Sequence, residues 1–231
     1  MKLFGPLWYK LSRDIGGAKG QFFAVVMVIA CGIGSYITIT FAFHNLMASR
    51  DSYCQQYRLA DLFFMVDRAP RSILTKIKAI PGVTTVQGRI VFDVPLDLPG
   101  VKEALVGRFI SLPDKQRTIL NDIYLVQGQY FRPTEEQGVL VNPAFCEKNN
   151  LKVGDSLWAT INNRKRKLQI RGTALSPEYI YTIRTAQDFL PNAQTFAICY
   201  VKETFAENAL SSTGTFLASP RIHLKWKSVF V

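Results

Sequence analysis

Residues 20–45 read GQFFAVVMVIACGIGSYITITFAFHN, and from Phe22 to Phe43 no side chain carries a charge. As an α-helix this run is about 33 Å long, enough to cross a hydrocarbon core of about 30 Å. A secretory h-region is shorter, roughly 7 to 15 residues, and ends at a small-x-small cleavage site. Here the run ends FAFHNLMAS, with bulky residues where a peptidase needs small ones, so the segment is expected to stay in the protein. Lys2, Lys10, Arg13 and Lys19 crowd the near side against Asp14 alone, whereas the far side has no charge until Arg50, which Asp51 follows. That asymmetry predicts a cytoplasmic N-terminus, with everything past Phe43 outside the cytoplasm.

The flanks extend this reading. LFGPLWYKLSRDI (3–15) places Leu3, Leu7, Trp8 and Leu11 at helical spacing, with Lys10, Arg13 and Asp14 elsewhere on the turn. Trp8 and Tyr9 suit a headgroup region, so residues 1–19 read as an amphipathic cytoplasmic segment or, alternatively, as a disordered basic tail. Within the membrane helix (20–44), Gly32 and Gly34 allow a neighbouring helix to approach closely, although their spacing is not GxxxG. Beyond it, HNLMASRDSYCQQYRLA lacks Gly and Pro, and Leu46, Ser49, Tyr53, Tyr57 and Ala60 recur every three or four residues. Residues 45–60 therefore read as a stalk helix that passes motion outward, or as a plain connector.

Composition excludes more than it assigns. The net charge of +11 could serve nucleic acid or anionic lipid headgroups. A nucleic-acid partner sits badly with an extracytoplasmic domain, so the surplus reads as attraction to a nearby anionic membrane surface or as nothing specific. Cys31, Cys54, Cys146 and Cys199 form no CxxC pair and no zinc spacing; the three beyond the membrane run read as free, partly buried thiols or, alternatively, as one disulfide with one cysteine left over. No G-x-x-x-x-G-K-[ST] sequence occurs, hence no phosphate cradle for ATP. His44 and His223 are the only histidines, one at the membrane boundary and one near the C-terminus, a poor basis for Ser-His-acid chemistry. The expectation is a protein that is not an enzyme and holds no cofactor or metal.

Residues 61–210 read as one outer core domain. ADLFFMVDRAP suggests a buried strand at Leu62 to Val66; RSILTKIKAI puts Ile73, Ile77 and Ile80 on one helix face; VTTVQGRIVFDVPLDL supplies a second strand. Strand, helix, strand with short links is a split βαβ unit. A β-rich insert covers about 105–185. It begins with a strand near Leu105 to Leu112, and SLWATI and KLQIRGTAL pair across NNRKRK as a hairpin with Arg164 to Lys167 at its tip. TFAICYV is a further strand and ETFAENAL a helix. Residues 211–231 show no clear period and read as an unpatterned tail. The fold class is α+β: one N-terminal transmembrane helix, then an extracytoplasmic split βαβ, porter-like domain with an inserted, mostly β subdomain.

Several of these segments, in this order, resemble the FtsX-like and MacB-like permease subunits of ABC transporters. The likeness is carried by KGQ (19–21), RLADLFFMVDRAP (58–70), IPGV (80–83), RIVFDVPLDLPG (89–100), GRFISLPD (107–114), VLVNPAF with NLKVGDSL, and ALSPEYIYTI (174–183). It covers roughly residues 8–210. The resemblance implies a bacterial inner-membrane subunit with a periplasmic or extracellular domain. It also implies that a separate cytoplasmic ABC ATPase binds the ATP, with other permease helices or subunits and a periplasmic adaptor as further partners. Such permeases transmit ATP-driven motion to the outer domain, for export or to activate an extracytoplasmic enzyme. They carry further membrane helices after that domain, but Arg184 to Val231 holds no second apolar run of about 20 residues. The chain is therefore expected to be the N-terminal part of such a permease, truncated or split, and single-pass as it stands. The rival reading is a stand-alone bitopic protein whose outer domain binds a ligand or envelope partner.

The residues expected at contacts with subunits or membrane are Trp8, Gly32, Gly34, Tyr53, Tyr57, Glu178 and Tyr179. Glu178 in SPEYIY has the chemistry of a general acid, but a carboxylate there more often satisfies a turn or pairs with an arginine.

Overall fold

The structure, a computed structural model, describes residues 5–66, 68–101, 103–180, 192–210, 216–218 and 220–226. The chain divides into two units, Met1–Ser52 and Tyr53–Val231. The first holds α1 (Gly5–Gly17) and most of α2 (Lys19–Gln56). Lys10, Arg13 and Asp14 lie in α1, and Lys19 opens α2. At 38 residues, α2 is about 57 Å long, nearly twice the hydrocarbon core. None of its residues is buried, although Phe22–Phe43 carries no charge on any side; a helix apolar all round is otherwise covered by a protein core or by lipid. Among the described residues it is the one helix long and apolar enough to cross a membrane.

The last turn of α2 belongs to the second unit and stops for a local reason. Arg58 takes the left-handed conformation (φ 52°). Its N–H donates to Gln55 O at 3.2 Å and the Leu59 N–H donates to Cys54 O at 2.8 Å, the bond pair of a Schellman cap.

The second unit contains β1 (Leu62–Met65), β2 (Arg68–Pro70), α3 (Ser72–Lys78), β3 (Val83–Asp97), β4 (Leu105–Leu112), β5 (Tyr124–Gly128), β6 (Gly138–Val141), α4 (Pro143–Lys148), β7 (Ser156–Ile161), β8 (Arg164–Leu175), β9 (Phe196–Lys202), α5 (Glu203–Ala209), β10 (Phe216–Ala218) and β11 (Pro220–Trp226). Nine strands form one sheet, and β2 with β10 forms a separate pair. β1 and β3 both run antiparallel to β11, which lies between them, so β1 and β3 are parallel and α3 connects them. This is the split βαβ unit read from the sequence.

The strand filling the split comes from the stretch after Leu210, where the sequence shows no period. Within it Ile222 and Leu224 are buried and alternate with His223 and Lys225. Burial of His223 as well covers both faces at that point, which blurs the polar alternation. Residues 211–215 and 227–231 of that stretch, and ALSPEYIYTI past Ile180, lie outside the described residues.

The long strand β3 belongs to two layers at once. Its first half pairs β11, and its second half pairs β4 and then β7. From there the pairings run β4–β9, β9–β6, β6–β8 and β8–β7, closing a ring back to β3. The β-rich stretch expected as an insert therefore shares a single sheet with the split unit. Alternate residues of these strands form one core, including Phe109, Val139, Val141, Leu157, Ile161, Leu168, Ile170 and Cys199. The opposite faces of β4, β6 and β9 supply Ile110, Leu112, Leu140, Ile198 and Tyr200 to a second core, closed by Ile119, Ile123 and Phe131. β9 is buried along its whole length because it serves both.

Two local expectations are corrected. Leu62–Met65 is an exposed strand rather than a buried one, since β1 stands at the end of the sheet order. Arg164 to Lys167 is not a hairpin tip. Asn162 and Asn163, with φ of 47° and 61°, make the turn alone, and the basic residues start β8. There Lys165 reaches Asp97 at 2.6 Å, and Arg166 lies over the Phe205 ring at 5.6 Å.

Candidate functional site: the helix exit

The chain leaving α2 meets the loop between β4 and β5, and the bonds made there are mostly to backbone. Asn121 N–H donates to Arg58 O and Asp122 N–H to Tyr57 O, each at 2.9 Å. The Ala60 N–H donates to Asn121 Oδ1 at 2.7 Å. Asn121 is left-handed (φ 50°), a conformation its short polar side chain tolerates, and it is fully buried. Two carbonyls and one amide of the four residues past the helix are thus held by two loop residues.

Beneath this clamp is a buried polar cluster. Asn121 Nδ2 donates to Glu178 Oε2 at 3.1 Å and lies 2.6 Å from His223 Nδ1. Glu178 Oε2 is 3.8 Å from His223 Nδ1 and 4.0 Å from Arg89 Nη1. Arg89 Nη2 donates to the carbonyls of Leu120 and, at 2.9 Å, Asn121. The Ser176 hydroxyl donates to Asn121 O and accepts from Glu178 N–H, which seats the short 3-10 turn Pro177–Tyr179. Gln87 Oε1 accepts from Leu120 N–H at 2.8 Å. The four central groups come from four elements: Arg89 from β3, Asn121 from the loop, Glu178 from the turn, His223 from β11.

Burial sets the electrostatics. It lowers the affinity of Arg89 for its proton, and the facing Glu178 opposes that shift. It raises Asp122, against the Ile123 N–H and the Arg89 charge. The Tyr200 phenol is held well above its ordinary range by burial, with Tyr179 and Glu178 adding to it. An arginine 1 % exposed beside a carboxylate is costly to assemble and costlier to break.

The chemistry available here is positional. Arg89, Asn121 and His223 have essentially no exposed surface, so a substrate has nothing to touch. Glu178 therefore serves as a buried counter-ion and hydrogen-bond acceptor in this arrangement. Among the described residues no group of His, Cys, Asp and Glu could hold a metal ion.

The residues singled out from the sequence fall into two sets. Tyr53, Tyr57, Glu178 and Tyr179 all belong to this junction or its lining. Tyr53 and Tyr57 pack as a tilted pair with centroids 4.8 Å apart, Tyr57 meets Tyr124 at 5.9 Å, and Tyr179 packs on the second core. Trp8, Gly32 and Gly34 lie on the first unit. Trp8 is exposed, and a Cβ built at either glycine would meet nothing within 4 Å.

Sequence reasoning missed Arg89, Asn121 and His223. Asn121-Asp122 is a turn-prone pair, and a lone arginine opening the strand RIVFDV was the other available signal.

No family model matches the chain, and no curated protein matches it. Among solved structures the chain is similar to the extracellular domain of the ABC-type transporter YknZ from Gram-positive bacteria. The identity is 12 % and the TM-score 0.45, over 71 % of this chain and 75 % of that one. It is also similar to the periplasmic region of MacB from Actinobacillus actinomycetemcomitans, at 11 % identity and TM-score 0.43, over 72 % and 68 %.

Proposed function

We propose that this chain is a membrane component of an FtsX/MacB-type ABC system, in which α2 couples a partner ATPase to the outer sheet unit. The observation that carries the reading is the end of α2. One unbroken helix, far longer than a bilayer core requires, finishes in a cap, and Tyr57, Arg58 and Ala60 just past it are bonded to Asn121 and Asp122. A continuous helix with a pinned end transmits displacement, whereas a loosely tethered anchor dissipates it. The order of sequence segments that resembles such permeases supports the same assignment.

In this reading the N-terminus is cytoplasmic and Trp8 lies among lipid headgroups. Gly32 and Gly34 accept a neighbouring permease helix, and ATP is bound by the partner ATPase rather than by this chain. A periplasmic adaptor engages the outer unit. The work done is export or mechanical signalling across the membrane.

The test is affinity purification of the full chain from cross-linked native membranes, followed by mass spectrometry. Recovery of an ABC ATPase, lost when Gly32 and Gly34 are both replaced by leucine, supports the assignment. Recovery of envelope proteins with no ATPase overturns it in favour of a stand-alone bitopic binder.

A further inference from the structure

We propose that His223 is an acid-sensitive latch on the helix exit: neutral in this structure, and releasing Ala60 from Asn121 when it gains a second proton. The inference starts from the polarity of three hydrogen bonds. Asn121 Oδ1 accepts the Ala60 N–H, which fixes the side-chain amide with its NH2 toward Glu178 and His223. A donor 2.6 Å from an imidazole nitrogen requires a lone pair there. Nδ1 of His223 is therefore the acceptor, and its proton is on Nε2.

Protonation at Nδ1 places a donor against a donor at that distance. The imidazolium has an acceptor at hand, Glu178 Oε2 at 3.8 Å, so the charged ring is drawn toward the carboxylate. The Asn121 amide then has two courses, and both undo the clamp. If it rotates to offer its oxygen to the ring, its NH2 faces the Ala60 N–H, again donor to donor. If it withdraws, Ala60 loses its acceptor outright.

The charged and titratable groups around His223 among the described residues set the balance. Glu178 on the 3-10 turn favours the imidazolium. Arg89 on β3, which shares that carboxylate, opposes it, and Asp122, Tyr179 and Tyr200 are coupled to Arg89 in turn. Phe63 on β1 adds only a ring edge, 5.2 Å between centroids. The device concerns the junction described above and needs no ATPase, so its test stands or falls apart from the proposed function.

The experiment is hydrogen exchange on the full chain in lipid nanodiscs, corrected for intrinsic rates. The Ala60 amide is compared with the β7 amides 157–161 from about pH 7.5 to about pH 5. The expected result is a fall in Ala60 protection of about tenfold with β7 unchanged, and no such fall in His223→Gln, whose amide oxygen accepts but does not titrate. Protection that ignores pH, or that falls equally in His223→Gln, overturns the latch. If His223→Gln loses β7 protection and so fails to fold, the imidazole 15N shifts of the unaltered chain decide. A lone pair on Nδ1 at neutral pH that is lost on acidification supports the proposal, and a doubly protonated ring throughout refutes it.

Discussion

The carboxamide oxygen of Asn121 accepts the backbone N–H of Ala60 at 2.7 Å, across 61 residues of sequence. Replacing Asn121 with alanine removes that acceptor and the donor to Glu178, and puts a Cβ residue at φ 50° with no side-chain hydrogen bond in return. The expected loss is about 2–3 kcal/mol, combining an unsatisfied buried amide with a left-handed alanine. Asn121→Gly keeps the backbone conformation free of strain and should cost less. Urea titration of the full chain in detergent, read by pulse proteolysis of the outer unit, orders the two. Equal stability for alanine and wild type would show that the clamp contributes nothing.

Arg89 and Glu178 make a prediction by their asymmetry. Removing one charge leaves the other buried, so Glu178→Leu or Arg89→Met should each cost about 3–5 kcal/mol. Removing both, as Arg89→Met with Glu178→Leu, should cost less than either single change, because neither charge is then left alone. The same urea series measures all three. Additive losses would mean that the 4.0 Å separation is no interaction at all.

How much of this was legible in the sequence depends on which interactions decide each element. α2 was legible because twenty-two uncharged residues admit few alternatives, and β4 because its bounding Gly and Pro punctuate it. The split βαβ was legible from its helix period and short links. The strand in the middle was not, because His223 is buried by partners 45 and 102 residues away, Glu178 and Asn121. Arg89 and Asn121 were hidden for the same reason: their neighbours come from distant sequence, and neither residue type announces burial. Glu178 was singled out as a possible acid or an arginine partner, and the partner was named only by the fold.

Gly128 and Gly172 face each other in register between β5 and β8. A Cβ at Gly128 would lie 2.1 Å from Arg171 O, and its φ is 83°; a Cβ at Gly172 would lie 2.4 Å from Gln127 O. Both obstacles are backbone, which cannot turn aside. Alanine at either position should destabilise by more than about 2 kcal/mol. Gly154, also at positive φ (103°) but with nothing within 4 Å, should cost only about 1 kcal/mol. Thermal denaturation of the three variants tests the ranking, and a Gly154 effect as large as the others would refute the steric account.

Cys146 and Cys199 extend the argument to pH. Burial pushes the Cys146 thiol up to about 11 and Cys199 further still, with Asp155 adding to the first shift and Cys146 to the second. Below the ordinary thiol range both cysteines are protonated whether folded or unfolded, and they contribute no pH dependence. Above about pH 9 the unfolded chain ionises them while the fold does not, so the unfolded state binds fewer protons and stability falls as pH rises through that window. At about pH 8, iodoacetamide should label the half-buried Cys54 and leave Cys146 and Cys199 untouched until urea unfolds the outer unit. Cys31, within α2, should be shielded by lipid in vesicles and labelled in detergent only slowly. Peptide mapping of the alkylated chain reads all four sites at once. Labelling of Cys199 at the rate of Cys54 would mean that β9 is not the doubly covered strand that joins the two cores.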